Sequence, residues 1–184
     1  MIELWTDGSY NYQTNIGAWA YIINGENVIE DSNVILETKN NVNLTELKAI
    51  VMGLKKLNKL LIDIETPINV YSDSLSIINK LNIMKEAKNR NCKITKSRGK
   101  NGKLVLNKSA NTTKNLNLWL EVTEFLKKTP YEINFIWIKG HNEKNKITLN
   151  VKADKLARKA REDYEKNNIR FLIKNYLHYK VSML

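Results

Sequence analysis

The sequence predicts an α/β domain built on a mixed sheet, and three observations carry that expectation. The first 38 residues read as consecutive strands, the rest alternates helical and strand patterns, and 184 residues with 42% apolar content suffice for one compact core. Ile2 and Leu4 alternate ahead of a turn-like Asp7-Gly8-Ser9, which places Asp7 at the end of a first strand. The run Ala18-Trp19-Ala20-Tyr21-Ile22-Ile23 is rich in strand formers. Asn24-Gly25 then marks a hairpin turn, and Val28 to Leu36 supplies a third strand, completing an antiparallel meander. From Asn43 to Leu61 the spacing of Leu44, Leu47, Val51, Leu54 and Leu57 predicts a helix with one buried stripe. A short strand at Ile68 to Tyr71 follows Pro67, and helical spacing restarts through Leu75, Ile78 and Leu81. Leu116 to Leu126 is amphipathic, Ile133 to Ile138 is strand-like, and Val151 to Tyr164 reads as a long charged helix. The order is βββ-α-β-α-α-β-α.

Charge narrows the partners. Lys and Arg total 30 against 19 acids, a net +11, which favours a polyanion such as nucleic acid over a merely soluble basic surface. Met84 to Lys114 carries ten basic residues and Glu86 as its only acid, so this stretch supplies most of the excess. It interrupts the strand–helix alternation and reads as a basic insert at 84–114 within a domain spanning 1–166. Residues 167–184 form a tail of no assigned role. Cys92 is the only cysteine, which excludes an intramolecular disulfide and a Cys-rich zinc site. No apolar run reaches the roughly 18–20 residues of a membrane helix, and the first residues do not resemble a secretory signal. A cytoplasmic protein, monomeric by default, is the expectation.

Four acids stand in four different settings. Asp7 lies at the end of the first strand, Glu46 in the first turn of the first helix, Asp73 just past a strand, and Asp154 in the last helix. Each has a plain structural reading. Asp7-Gly8 suits a turn, Asn43-Leu44-Thr45-Glu46 resembles a capping box, Asp73 suits a helix cap, and Asp154 suits a solvent-facing helix charge. Strand ends and adjoining helix starts of an α/β sheet converge on a cleft, so the four can also meet. Clustered carboxylates repel one another and take up protons unless a cation intervenes. Their hard oxygens suit Mg²⁺ or Mn²⁺, and two such ions serve phosphodiester cleavage.

Taken in order, Thr6-Asp7-Gly8-Ser9, Thr45-Glu46-Leu47, Ser72-Asp73-Ser74, Lys139-Gly140-His141 and Asn150-Val151-Lys152-Ala153-Asp154 resemble type 1 ribonuclease H from residue 2 to about residue 162. The resemblance implies a ribonuclease H-like five-stranded mixed sheet, three antiparallel strands followed by parallel ones, flanked by helices. It implies an endoribonuclease that hydrolyses the RNA strand of RNA–DNA hybrids, leaving 5′-phosphate and 3′-hydroxyl ends. Asp7, Glu46, Asp73 and Asp154 would hold two Mg²⁺ ions, with Mn²⁺ as a substitute. Glu46 would also touch the ribose side of the substrate, and His141 would assist proton transfer and product departure. Asn43, Asn115 and Trp119 match nucleic-acid contacts of the family. Lys93, Lys96, Arg98, Lys100 and Lys103 lie in the insert, where some members carry a basic protrusion that grips the hybrid. The chain departs from the family after Ser9, where Tyr10-Asn11-Tyr12-Gln13 replaces a Gly/Pro-rich turn, and before Asn43, where Asn41-Val42 replaces an Asn and a Thr.

Two rivals remain at this point. A junction resolvase or integrase shares such a sheet but usually lacks the Lys-Gly-His and final Asp pattern. A non-catalytic nucleic-acid-binding module has no need of four acids, since negative charge opposes phosphate.

Overall fold

The computed structural model describes residues 1–36, 41–60, 66–89, 115–130, 132–140 and 148–181. Five strands form one sheet: β1 (Ile2–Asn11), β2 (Ile16–Asn24), β3 (Val28–Ile35), β4 (Ile68–Ser72) and β5 (Ile133–Trp137), in the order β3-β2-β1-β4-β5. Among the described residues the helices are α1 (Val42–Leu60), α2 (Leu75–Asn89), α3 (Leu116–Lys128) and α4 (Thr148–Val181). β1, β2 and β3 pair antiparallel, whereas β1–β4 and β4–β5 pair parallel. The mixed sheet expected from the sequence is therefore the one observed.

The sheet is covered on both faces. Strand alternation sends Leu4, Tyr21, Ile23, Val70 and Phe135 into one core with Leu47, Ile50 and Leu54 of α1, Leu81 of α2 and Val122 of α3. On the other face, Trp5, Ile22 and Ile138 pack with Ala153 of α4, and the Trp5 and Tyr71 rings stack 4.1 Å apart. α1 lies close to β1 because residue 53 is glycine: a Cβ there would sit 2.5 Å from Leu4 Cδ1.

Two expectations need correction. β1 does not end at Asp7. It continues through Gly8 and Ser9 to Asn11, because every residue from Glu3 to Asn11 has a β2 partner, and the chain reverses only at Tyr12–Asn15. Asn15 carries the reversal with a φ of 56°, a conformation Asn tolerates better than most residues. Asn43 does not cap α1. Asn41 does, its side-chain oxygen accepting the Leu44 N–H at 2.9 Å, so Glu46 belongs to the second turn rather than to a capping box. The start of the basic insert is the end of a helix, since α2 runs on to Asn89. α4 crosses residue 166 unbroken and runs to Val181, so the tail from residue 167 continues that helix. No Gly or Pro occurs after Gly140, so no helix breaker interrupts α4 along its length.

Candidate active site

β1 and β4 diverge where their parallel pairing ends, at Trp5↔Tyr71. The Thr6 hydroxyl, which donates to the Tyr71 carbonyl at 3.1 Å, is the last tie between the two strands. Beyond it, β1 keeps its partner β2 while β4 gives way to Asp73 and the start of α2. Asp7 and Asp73 flank the resulting notch.

Glycines let the neighbouring elements close on it. A Cβ on Gly8 would meet the Glu46 backbone nitrogen and the Thr45 hydroxyl at 2.5 Å, so α1 rests against β1 backbone and delivers Glu46 beside Asp7. A Cβ on Gly140 would lie 2.5 Å from Asp73 Oδ2, so the chain leaving β5 passes directly over that carboxylate. The Trp137 indole N–H donates to the Asp73 carbonyl at 3.0 Å and braces the same junction.

Asp7, Glu46 and Asp73 each offer a carboxylate oxygen, all within 4.8 Å of one another. Asp7 and Glu46 are buried, and Glu46 Oε2 has no hydrogen-bond partner. Asp7 accepts the Gly8 N–H at 2.7 Å, which fixes one of its oxygens. Asp154 lies outside the 4.8 Å set. Arg158 grips both its oxygens, at 2.9 and 2.7 Å, on a side chain that is 30% exposed. Its charge is nonetheless near enough to act on Asp7.

The electrostatics follow from the geometry. Burial first, then the Asp73 and Asp154 charges, push the Asp7 carboxyl from an ordinary 3.8 up to about 8. Glu46 is held well above its ordinary value by burial and then by Asp7 and Asp73. Three carboxylates with one unpartnered buried oxygen make a hard-oxygen cradle whose repulsion a divalent cation would relieve, so the residues fit a metal of the Mg²⁺ or Mn²⁺ type.

This arrangement predicts an unusual pH response. Both carboxyls hold protons in the folded state that they lose in the unfolded chain, so the folded state binds more protons over the interval between their ordinary and raised values. Stability of the metal-free protein must then fall as pH rises through that interval. Melting in chelator from about pH 5 to about pH 9 is expected to show a steadily falling Tm, with millimolar Mn²⁺ restoring most of the loss at the alkaline end. A Tm that is flat or rising with pH would contradict the raised carboxyls.

The remaining predicted residues are dispersed. Asn43 is exposed on the first turn of α1, near the acids in sequence and on the same element as Glu46. Asn115 is nearly buried ahead of α3, where its carbonyl accepts the Trp119 N–H at 3.1 Å. Trp119 is only 3% exposed and belongs to the core, with Lys80 Nζ 5.6 Å from its ring centroid. α3 packs on α1 and α2, and the Trp119 ring lies within that core. His141, Lys93, Lys96, Arg98, Lys100 and Lys103 lie outside the described residues. Sequence reasoning overlooked Arg158, whose i+4 spacing from Asp154 was a readable signal.

Known proteins resemble this chain along nearly its whole length. A ribonuclease H of Caldanaerobacter subterraneus subsp. tengcongensis is 29% identical over 168 residues, covering 89% of this chain and 95% of that protein. One from Caldicellulosiruptor saccharolyticus is 31% identical over 160 residues, covering 85% and 93%. Among solved structures, the N-terminal RNase H domain of a Mycobacterium tuberculosis protein superposes with a TM-score of 0.61 at 16% identity, covering 91% of this chain and 97% of that one. LC11-RNase H1 in complex with an RNA/DNA hybrid superposes at 0.52 and 19%, covering 89% and 99%. At such identities the structural matches speak for the fold alone. The family model for RNase H matches residues 1–162, most of the chain, and the chain belongs to the RNase H family.

Proposed function

We propose that this chain is an endoribonuclease that hydrolyses the RNA strand of RNA–DNA hybrids with two Mg²⁺ ions, leaving 5′-phosphate and 3′-hydroxyl ends. The observation that carries the reading is the set of three carboxylates within 4.8 Å, two of them buried and strongly proton-retaining, on an RNase H sheet. Asp7, Glu46 and Asp73 are the core ligands and Asp154 is the fourth. When bound, the cations supply activation of the attacking water and charge stabilisation of the leaving oxygen. The chain supplies the rest. The Gly8 N–H orients Asp7, Trp137 and Gly140 fix Asp73, and α1 presents a buried Glu46 beside Asp7, where it is assigned contact with the ribose side of the substrate. Arg158 must yield at least one Asp154 oxygen when that carboxylate turns to a cation. His141, on the segment after Gly140, is assigned proton transfer and assistance to product departure.

Asn43, Asn115 and Trp119 are proposed as the hybrid-facing side, with the basic insert gripping phosphate. The catalytic domain is taken as 1–166. The protein is proposed to act as a cytoplasmic monomer, and among the described residues no helix is long and apolar enough to cross a membrane. The deciding experiment is a cleavage panel with Mg²⁺ on hybrid, duplex DNA, duplex RNA and branched DNA. Cutting confined to the RNA of the hybrid is the expected result. Cutting of branched DNA would point to a resolvase, and binding without cutting to a non-catalytic module.

The insert has its own test. Replacing four of Lys93, Lys96, Arg98, Lys100 and Lys103 with Gln is expected to raise KM and leave kcat largely unchanged. The slope of log affinity against log salt should become shallower by about 0.9 or less for each phosphate that is no longer neutralised. An unchanged slope would remove the insert from the interface.

A further inference from the structure

β1's continuation past Asp7 meets α4 through a row of polar contacts that the acid cluster does not use. Arg161 donates from Nε to the Ser9 hydroxyl at 2.9 Å and from Nη1 to Glu165 at 2.9 Å, and Nη2 lies 3.5 Å from Glu162. Glu165 in turn accepts the Asn11 side-chain amide at 2.9 Å and the Thr14 hydroxyl. The Arg161 and Glu165 side chains are each only 13% exposed, unlike the surface ion pairs elsewhere on the protein. Burial alone would raise the Glu165 carboxyl, yet the Thr14 hydroxyl, the Arg161 charge and the Asn11 amide outweigh it and leave it below the ordinary carboxylate range.

The spacing of these contacts matters. Asp7, Ser9 and Asn11 alternate on one face of β1. Asp154, Arg161 and Glu165 stand at i, i+7 and i+11 along one stripe of α4. Over these positions the helix advances about 16 Å and the strand about 13 Å, so the two rows run side by side in the same direction. Nearer the acids, α4 is held by the fully buried Ala153 and Ala157 and by the partly buried Leu149 and Leu156, an apolar contact with no hydrogen bond of its own to β1 among the described residues. Slipping the helix by one residue would swing Asp154 about 100° around the axis. The Ser9–Arg161–Glu165–Asn11 row opposes such a slip.

We propose that the Arg161–Glu165 pair, anchored on Ser9, Asn11 and Thr14, is a positioning device that sets the rotation of α4 and so aims Asp154 at the Asp7 side of the notch. The proposal rests on the reading of Asp154 as the fourth metal ligand. It also makes a prediction opposite in sign to simple electrostatics. Removing a cation near an acidic site should strengthen binding of divalent ions, whereas losing the aim of one ligand should weaken it.

The test is Mn²⁺ binding to the full chain, followed by calorimetry and by electron paramagnetic resonance, independently of turnover. Arg161→Met and the charge-conserving double variant Arg161→Met/Glu165→Gln are compared with Arg161→Lys, with the milder Ser9→Ala, and with Asp154→Asn as reference. Asp154→Asn should lose one of two ions. Both Met variants should weaken that same ion about tenfold and spare the other, with partial rescue in Arg161→Lys and a smaller loss in Ser9→Ala. Unchanged or tighter binding in the Met variants, with only Tm lowered, would overturn the positioning role and leave a plain brace. If Asp154→Asn itself keeps both ions, the ligand assignment of Asp154 fails, and with it anything for Arg161 to aim. Should the Met variants not fold, Ser9→Ala decides alone: unchanged affinity for both ions overturns the proposal.

Discussion

Replacing Asp73 with Asn is expected to slow hydrolysis of the hybrid by about a thousandfold or more, which corresponds to about 4 kcal/mol of transition-state stabilisation. Hybrid affinity should stay within about threefold. Asn keeps the shape that Gly140 packs against and leaves the backbone carbonyl that Trp137 holds. What it removes is one of three charges shared within 4.8 Å. Affinity for the hybrid comes mainly from phosphate contacts, and losing an acid does not weaken those. Single-turnover cleavage measured alongside equilibrium binding in Ca²⁺ separates the two quantities. Near-normal Mg²⁺-dependent cleavage would remove Asp73 from the site. The Asp7 carboxyl should also fall from about 8, because the Asp73 charge is the second-largest cause of its elevation.

Gly8→Ala is expected to damage both stability and activity, although residue 8 carries no chemistry. The added methyl would lie 2.5 Å from the Glu46 backbone nitrogen and 2.6 Å from the Thr45 carbonyl carbon. Neither is the end of a flexible side chain, so α1 itself must retreat from β1. A cost of about 3 kcal/mol is expected, at the upper end of overpacking effects, with Tm lower by roughly 6–12 °C. The activity loss should exceed what the unfolded fraction explains, because the retreat carries Glu46 away from Asp7. Denaturant midpoints with kcat measured well below the new Tm would show both. A variant of unchanged stability and rate would mean that α1 does not bear on β1 as described.

Much of this was legible in the sequence because burial writes itself as periodicity. The stripe of α1, the apolar strands β2 and β4 and the Asn24-Gly25 turn each predicted their elements, and the ordered motifs around Asp7, Glu46, Asp73 and Asp154 resembled one family. What was missed has physical reasons. Asp7-Gly8-Ser9 has the composition of a turn, but here glycine serves the approach of a helix rather than a change of chain direction. Asn41 and Asn43 are equally good caps on composition, and only the hydrogen bond to Leu44 distinguishes them. Arg161 and Glu165 look like ordinary solvated charges in a charged helix. Their burial depends on β1 continuing to Asn11, which the turn-like composition concealed.

The order β3-β2-β1-β4-β5 has a consequence for how the enzyme comes into being. The β1–β2–β3 meander is joined by short reversals and can form early, since its pairings are close along the chain. β1 meets β4 only by pairing Ile2 with Ile68 and Trp5 with Tyr71, a closure over some sixty residues that must wait for α1 to be in place. The carboxylates are distributed across that same gap: Asp7 belongs to the early part, Glu46 to the connector and Asp73 to the strand that arrives late. Once α1 is in place only Asp7 and Glu46 stand together, and Asp73 joins them with β4. A cation site that needs all three carboxylates would then be complete only with the finished sheet, and Mn²⁺ uptake during refolding would serve as a clock for the last long-range step.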